Sequence, residues 1–208
     1  MDTAGGGGRL AKHAQSIGAP LGSRGGRAAL AAIAACIGLI GPVSQAASGR
    51  PAAAPSPAST SVHSLLRLLN EERSKRGLRP LRQNLRLDKA ARGHARDMVA
   101  RGYFAHQRVG GPDFVARIRR TGYLSGAKAW AVGENIAYGE GNRAGVQSVV
   151  RAWMASRGHR GNILSTSYKD VGIGVVVGSP HEGRASVAVD GPVALTITTD
   201  FGRRFRVR

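Results

Sequence analysis

Six histidines and a single cysteine are the side chains of this 208-residue chain most able to bind a metal ion or move a proton near neutral pH. Their spacing supplies no local site. No two histidines stand three or four residues apart, the interval that sets both rings on one helix face. Any site built from them must be assembled by the fold from distant stretches. Several have plain readings of their own. His94 lies among Ala91, Ala95 and Met98 and reads as a hydrogen-bonded core histidine, whereas His63 and His181 read as surface linker and loop residues. Cys36 has no second cysteine to pair with, so a secreted form must hold together by core packing.

The formal net charge is +19, and +16 remains after residues 1–46 are set aside, with 27 basic against 11 acidic groups. The basicity therefore belongs to the remainder of the chain. It predicts attraction to anionic partners such as acidic lipid, cell-wall polyanions or nucleic acid, and also fits a solvated arginine-rich surface. With 5% aromatic residues and an export signal, nucleic acid is the least expected of these partners.

Residues 1–27 are glycine-rich and carry Arg9, Lys12, Arg24 and Arg27. A 16-residue apolar run follows at 28–43, then Ser44-Gln45-Ala46. A membrane span needs roughly 20 residues. Basic, apolar and small is the order of a signal peptide, with cleavage expected after Ala46 and a secreted, periplasmic or cell-envelope location. Two other readings stay open: lipidation at Cys36 after Ile33-Ala34-Ala35, and an uncleaved anchor. Residues 47–61, rich in Pro, Ala and Ser, read as a linker, and 62–208 as the folded domain.

Four helices are expected to position the candidate residues. Leu65, Leu66, Leu68 and Leu69 begin the first, which stops at Gly77. Ala91, Ala95, Met98 and Val99 line a second that starts near Asp88. Phe114, Val115 and Ile118 mark a third, with Pro112 in its first turn. Val146, Val149, Val150, Trp153 and Met154 give the strongest amphipathic pattern, with Asn142 as N-cap and Gly158 as terminator. After residue 170 the period falls to two, through Val171, Ile173, Val175 and Val177, then Val187 and Val189, then Leu195 and Ile197. Short connections between them favour antiparallel neighbours, and helices followed by strands argue for α+β layering.

Four stretches in this order resemble the CAP superfamily, which includes cysteine-rich secretory proteins, plant pathogenesis-related proteins and bacterial SCP-like proteins. They are Leu65 to Arg73 with Gly77-Leu-Arg-Pro-Leu81; Leu87 to Met98 running into Tyr103-Phe-Ala-His106; Gly133-Glu-Asn-Ile-Ala137; and Trp153 to Leu164, followed by Tyr168 and Val171-Gly-Ile-Gly174. Thr198-Thr-Asp-Phe-Gly202 is a weaker fifth. The resemblance implies an α-β-α sandwich with a three-stranded antiparallel sheet between helical layers.

It also implies a His-Glu-Glu-His cleft, whose matching positions here are His106, Glu134, Ser156 and His159. Ser156 stands where a second glutamate is expected, which removes one carboxylate. Two imidazoles and a carboxylate suit zinc or another divalent cation with an open position for water. His159, placed after Gly158 at the end of the strongest helix, is expected at the helix's negative pole, where a cation is favoured. Trp130 and Trp153 read as packing residues, Asn135 and Asn162 as holding loops through backbone contacts, and Tyr103 and Phe104 as anchoring the His106 loop.

With one carboxylate missing, binding is expected over catalysis: a monomeric module for a lipid-like small molecule or an envelope component, a ligand class the resemblance implies. A metal-dependent hydrolase of peptide or envelope polymers is a second reading, and a basic adhesin for anionic polymers a third.

Overall fold

The computed structural model describes residues 57–140, 145–181 and 194–205. The signal segment, Asn142 and the strand expected at Val187 and Val189 lie outside the described residues. Helix α1 (Pro57–Ser74) opens inside the stretch read as linker, with proline at its first position, where a missing N–H costs nothing. Its end is a Schellman turn: Gly77 takes φ +66° while the Leu78 amide donates to the Arg73 carbonyl.

Strand β1 (Arg82–Gln83) leads directly into α2 (Leu85–Arg101), which begins three residues before Asp88 because Asn84 caps the Arg86 and Leu87 amides. Gly102, left-handed at φ +66°, ends α2 and turns the chain toward Tyr103 and His106. Asp113, not Pro112, caps α3 (Phe114–Arg120), so the proline sits one residue outside the helix.

The expected long helix ending at Gly158 is two helices. Helix α4 (Val146–Ala155) breaks at Ser156, whose backbone is extended (φ −92°, ψ 125°). Helix α5 (Arg157–Leu164) restarts at once, with Gly158 in its first turn. The extended backbone of Ser156 ends α4 two residues before Gly158, and Ile163 of α5 returns to the same core as Trp153.

The sheet has the order β1-β3-β4-β2, formed with β2 (Ala129–Glu140), β3 (Asp170–Val177) and β4 (Ala194–Phe205). The long strands pair antiparallel, and the short β1 adds to β3 in parallel. Strand β2 precedes α4 in the chain, so the strands do not all follow the helices as the sequence pattern suggested. The architecture is an α-β-α sandwich. On one face α1, α4 and α5 cover a core that includes Leu65, Leu69, Trp153, Ile163, Ile173 and Phe201. On the other, α2 and α3 cover a smaller core of Leu87, Ala90, Ile118, Tyr123 and Val132.

The odd positions of β3 (Val171, Ile173, Val175) enter the larger core, and its glycines face α2. This explains the Val-Gly alternation. A Cβ on Gly172 would lie 2.0 Å from the Leu87 carbonyl carbon, and one on Gly174 2.3 Å from the Arg92 nitrogen. Backbone cannot yield as a side chain can, so glycine sets the helix-to-sheet distance. Gly174→Ala is expected to destabilise the fold by about 3 kcal/mol through overpacking, measured by urea unfolding.

Candidate functional site

Strand β2 ends the sheet, and its outer side has no neighbouring strand among the described residues. Three alternate carbonyls along it are met by side chains instead: Val132 accepts from the Tyr168 hydroxyl, Glu134 from Asn162 Nδ2, and Ile136 from Trp153 Nε1. This closes the edge with donors from the α5 layer and its flanks. Asn135 joins in, donating to the His159 carbonyl at 3.2 Å while its own oxygen accepts from Asn162 at 2.8 Å. The two asparagines hold backbone, as read from the sequence, though from a strand and a helix rather than from loops.

Glu134, on β2, points to the α2 side and is 1% exposed. Burial by itself would raise its pKa. The His106 hydrogen bond, with the charges of Arg117 and the nearby histidines, holds it below the usual carboxylate range. Oε1 meets His106 Nδ1 at 2.8 Å, and Oε2 accepts from Arg117 Nη2. An ionised carboxylate has no proton to give, so His106 donates from Nδ1. Arg117 also donates through Nη1 to the carbonyls of His106 and Pro112, and so fixes the loop carrying the imidazole. Tyr103 and Phe104 brace the same loop: the Tyr103 hydroxyl donates to Asp97, and Phe104 meets Tyr138 edge-on at 5.0 Å.

His159 reaches the cleft from the other layer and is 2% exposed. The helix break moves it from the end of one helix to the first turn of the next, which is the positive pole. The expected dipole support for a cation is therefore reversed. Burial, reinforced by His106, pushes its pKa down to about 4. Ser156, the position lacking the expected glutamate, caps no backbone group of α5; its hydroxyl meets His159 Nδ1 at 2.8 Å. His159 also stacks near Trp153, with ring centroids 6.2 Å apart.

The structure thus forms two hydrogen-bonded pairs, His106–Glu134 and Ser156–His159. Nε2 of both imidazoles is buried without a partner. Among the described residues no group of three or more His, Cys, Asp or Glu is arranged to hold a metal ion. Glu134, expected among three ligands, has both oxygens turned to His106 and Arg117.

Two residues of this cluster were missed in the sequence. Arg117 sits in a basic run with Arg119 and Arg120; its signal was its position three residues after Phe114, on the inward face of α3. Asp200, in the Thr198–Gly202 motif, stands directly opposite Glu134 across the β2–β4 ladder and is fully buried. Two carboxylates share one guanidinium here. Burial first, and the charge of Glu134 second, raise the Asp200 pKa well above the ordinary range. Neither of its oxygens has a donor, so holding a proton lets it donate toward Glu134. His94, the core histidine, lies beneath them. Its Nε2 is 3.0 Å from the Ala105 carbonyl and 4.0 Å from Glu134, and burial lowers its pKa to about 4.

A sandwich of two helical layers around a four-stranded sheet, with two histidines flanking a buried glutamate on its edge strand, is an SCP-type domain in architecture. The chain belongs to the cysteine-rich secretory protein (CAP) family, whose model matches residues 66–189. Its one cysteine, Cys36, lies outside that match. The chain is 37% identical over 126 residues to the uncharacterized protein YkwD of Bacillus subtilis, covering 60% of this chain and 46% of that protein. It is 34% identical over 116 residues to the uncharacterized membrane protein YlbC of the same organism, covering 56% and 32%. It thus spans less than half the length of either relative. An extracellular protein containing a SCP domain from Bacillus anthracis superposes with a TM-score of 0.53 at 25% identity, over 68% of this chain and 40% of that one. An outer surface protein from Borrelia burgdorferi shares the fold, with a TM-score of 0.54 at 19% identity over 72% and 97%. Among the described residues no helix is long and apolar enough to cross a membrane.

Glu134→Gln leaves Arg117 buried without its anion and is expected to cost about 3–5 kcal/mol in urea unfolding. Asp200→Asn replaces a neutral acid with its isostere and is expected to change stability by no more than about 1 kcal/mol at pH 7. Equal losses in the two variants would contradict this division of charge.

His94 and His159 are neutral in the folded protein, and both pKa values lie below that of an unfolded histidine. Between roughly pH 6.5 and 4 the unfolded chain therefore binds more protons. Stability should be full above that window and fall as pH drops through it, as thermal melts at fixed ionic strength would record.

Proposed function

We propose that this protein is an exported, non-enzymatic binding module. Its cleft takes a divalent cation such as zinc on His106 and His159, and its ligand is a lipid-like or cell-envelope molecule. The observation that carries the cation is the shared state of the two imidazoles. Each is anchored through Nδ1, to Glu134 or Ser156, and each keeps a buried Nε2 with no partner. The depressed pKa of His159 leaves it neutral, the form that binds metal. Glu134 takes the part of the carboxylate behind a histidine ligand, fixing its tautomer and orientation. A cation held there would supply positive charge and an open coordination position for a ligand oxygen.

Hydrolysis is the weaker reading because no carboxylate of the cluster is free to act as a base: both Glu134 oxygens are engaged, and Asp200 holds a proton. The crevice between Trp153, Ser156 and His159 has a volume of about 40 Å³. Small-molecule pockets run to about 300–1,000 Å³. The groove beside α1, about 540 Å³, has the volume for an amphipathic lipid-like ligand, with Leu66, Leu78 and Pro80 on its wall beside the polar Arg67, Asn70 and Glu71. The signal-peptide order of residues 1–46 supports export.

Titration of zinc into the purified full chain, with elemental analysis of the product, tests the cation. One equivalent is expected in wild type and none in His106→Ala or His159→Ala. Glu134→Gln should keep the stoichiometry with affinity about 10–100-fold weaker. Unchanged stoichiometry in both histidine variants would remove the cation from this reading.

A further inference from the structure

A second concavity opens between α2 and α3, on the outer side of Arg117. Its volume is about 310 Å³, at the small end of ligand pockets. Lys89 and Gly93 of α2 border it, with Arg117, Arg120 and Thr121 from α3 and its end, and His94 at the inner wall. Among these lining residues none is acidic.

Their charges are not equivalent. Arg117 is offset by Glu134 behind it. Lys89 and Arg120 are exposed at the rim, and among the described residues neither has a hydrogen bond or ion pair. The rim therefore carries two cations without anions, above an arginine already neutralised. A Cβ built on Gly93 would meet nothing within 4 Å, so the α2 wall is open there as well.

Arg92 and Arg119 are also exposed with no hydrogen bond or ion pair among the described residues, but neither borders this cavity. Arg101 pairs with Asp97, and Arg86 donates to the Gly122 carbonyl. Arg96 is exposed on the same helix, two turns beyond Lys89 and about 10 Å along the axis.

Two exposed cations bordering one concavity match a compact dianion better than a single carboxylate. Arginine adds a planar fork suited to two oxygens of one group, and lysine a point charge. A phosphate monoester carries about −1.5 to −2 charge at neutral pH and presents three acceptor oxygens. We propose that the α2–α3 cavity binds a phosphate group, gripped by Lys89 and Arg120, with Arg117 closing its inner wall. This site lies outside the His106–His159 cleft and does not depend on a cation being bound there.

Calorimetric titration of the full chain with inorganic phosphate, with acetate at matched ionic strength as the comparison, tests it. Saturable binding of one phosphate is expected in wild type and in Arg96→Ala. The Lys89→Ala/Arg120→Ala double variant removes exposed, unpartnered side chains and should stay folded. Its affinity should fall about tenfold or more, the scale of a lost charge-assisted hydrogen bond. Wild-type affinity in the double variant would overturn the site. So would an equal loss in Arg96→Ala, or equal saturable binding of acetate, because each points to diffuse surface charge. Sedimentation with phosphatidylcholine vesicles, with and without phosphatidic acid, identifies the source. Capture only by phosphatidic acid, lost in the double variant, marks a lipid headgroup. Phosphate binding without vesicle capture marks a soluble phosphate.

Discussion

Glu134 is a carboxylate with almost no contact with water, and the arrangement around it follows from keeping it ionised. Removing such a charge from solvent is costly unless partners replace the lost hydration. Those partners come from separate parts of the chain: His106 from the loop after α2 and Arg117 from α3. The charge that helix α3 brings to the strand also binds the His106 loop through two carbonyls. One ion pair thus fixes the carboxylate, the imidazole and the seat of the short helix together. Asp200 is the cost of this placement. The adjacent strand puts a second acid beside the first, and burial with the charge of Glu134 raises its pKa well above the ordinary range.

The same strand joins the two halves of the cleft. Because β2 is the edge of the sheet, its outward carbonyls need donors, and Tyr168, Asn162 and Trp153 provide them from the opposite layer. Closing the edge brings α5 against β2 and carries His159 to the rim that His106 reaches from the other side. The contacts that protect an edge strand also assemble the site. Gly133 marks how close this approach is, since a Cβ there would lie 2.5 Å from the Tyr168 hydroxyl.

Ser156 is where the chain departs most from the family pattern. Its extended backbone separates α4 from α5, and its hydroxyl holds the His159 ring. A glutamate would add charge to the cleft. Serine anchors the imidazole without adding charge. The restart of the helix also reverses the field at His159, which now sits at a positive pole and stays neutral by burial.

The sequence by itself determined the layered α+β class, the helices carrying Leu65, Met98 and Trp153, and the Val-Gly alternation of β3, because each is written in local periodicity. Resemblance to the CAP family, carried by the motifs, implied that His106, Glu134, Ser156 and His159 belong together. Only tertiary structure decided the break at Ser156, since no glycine or proline stands at the break itself to mark it. It decided too that Gly133 to Ala137 lies on an edge strand, because pairing with β4 there joins residues 60 to 68 positions apart. Arg117 and Asp200 entered the site only in the fold. A charge among charges, and an acid in a strand, acquire roles when long-range pairing places them beside a buried carboxylate.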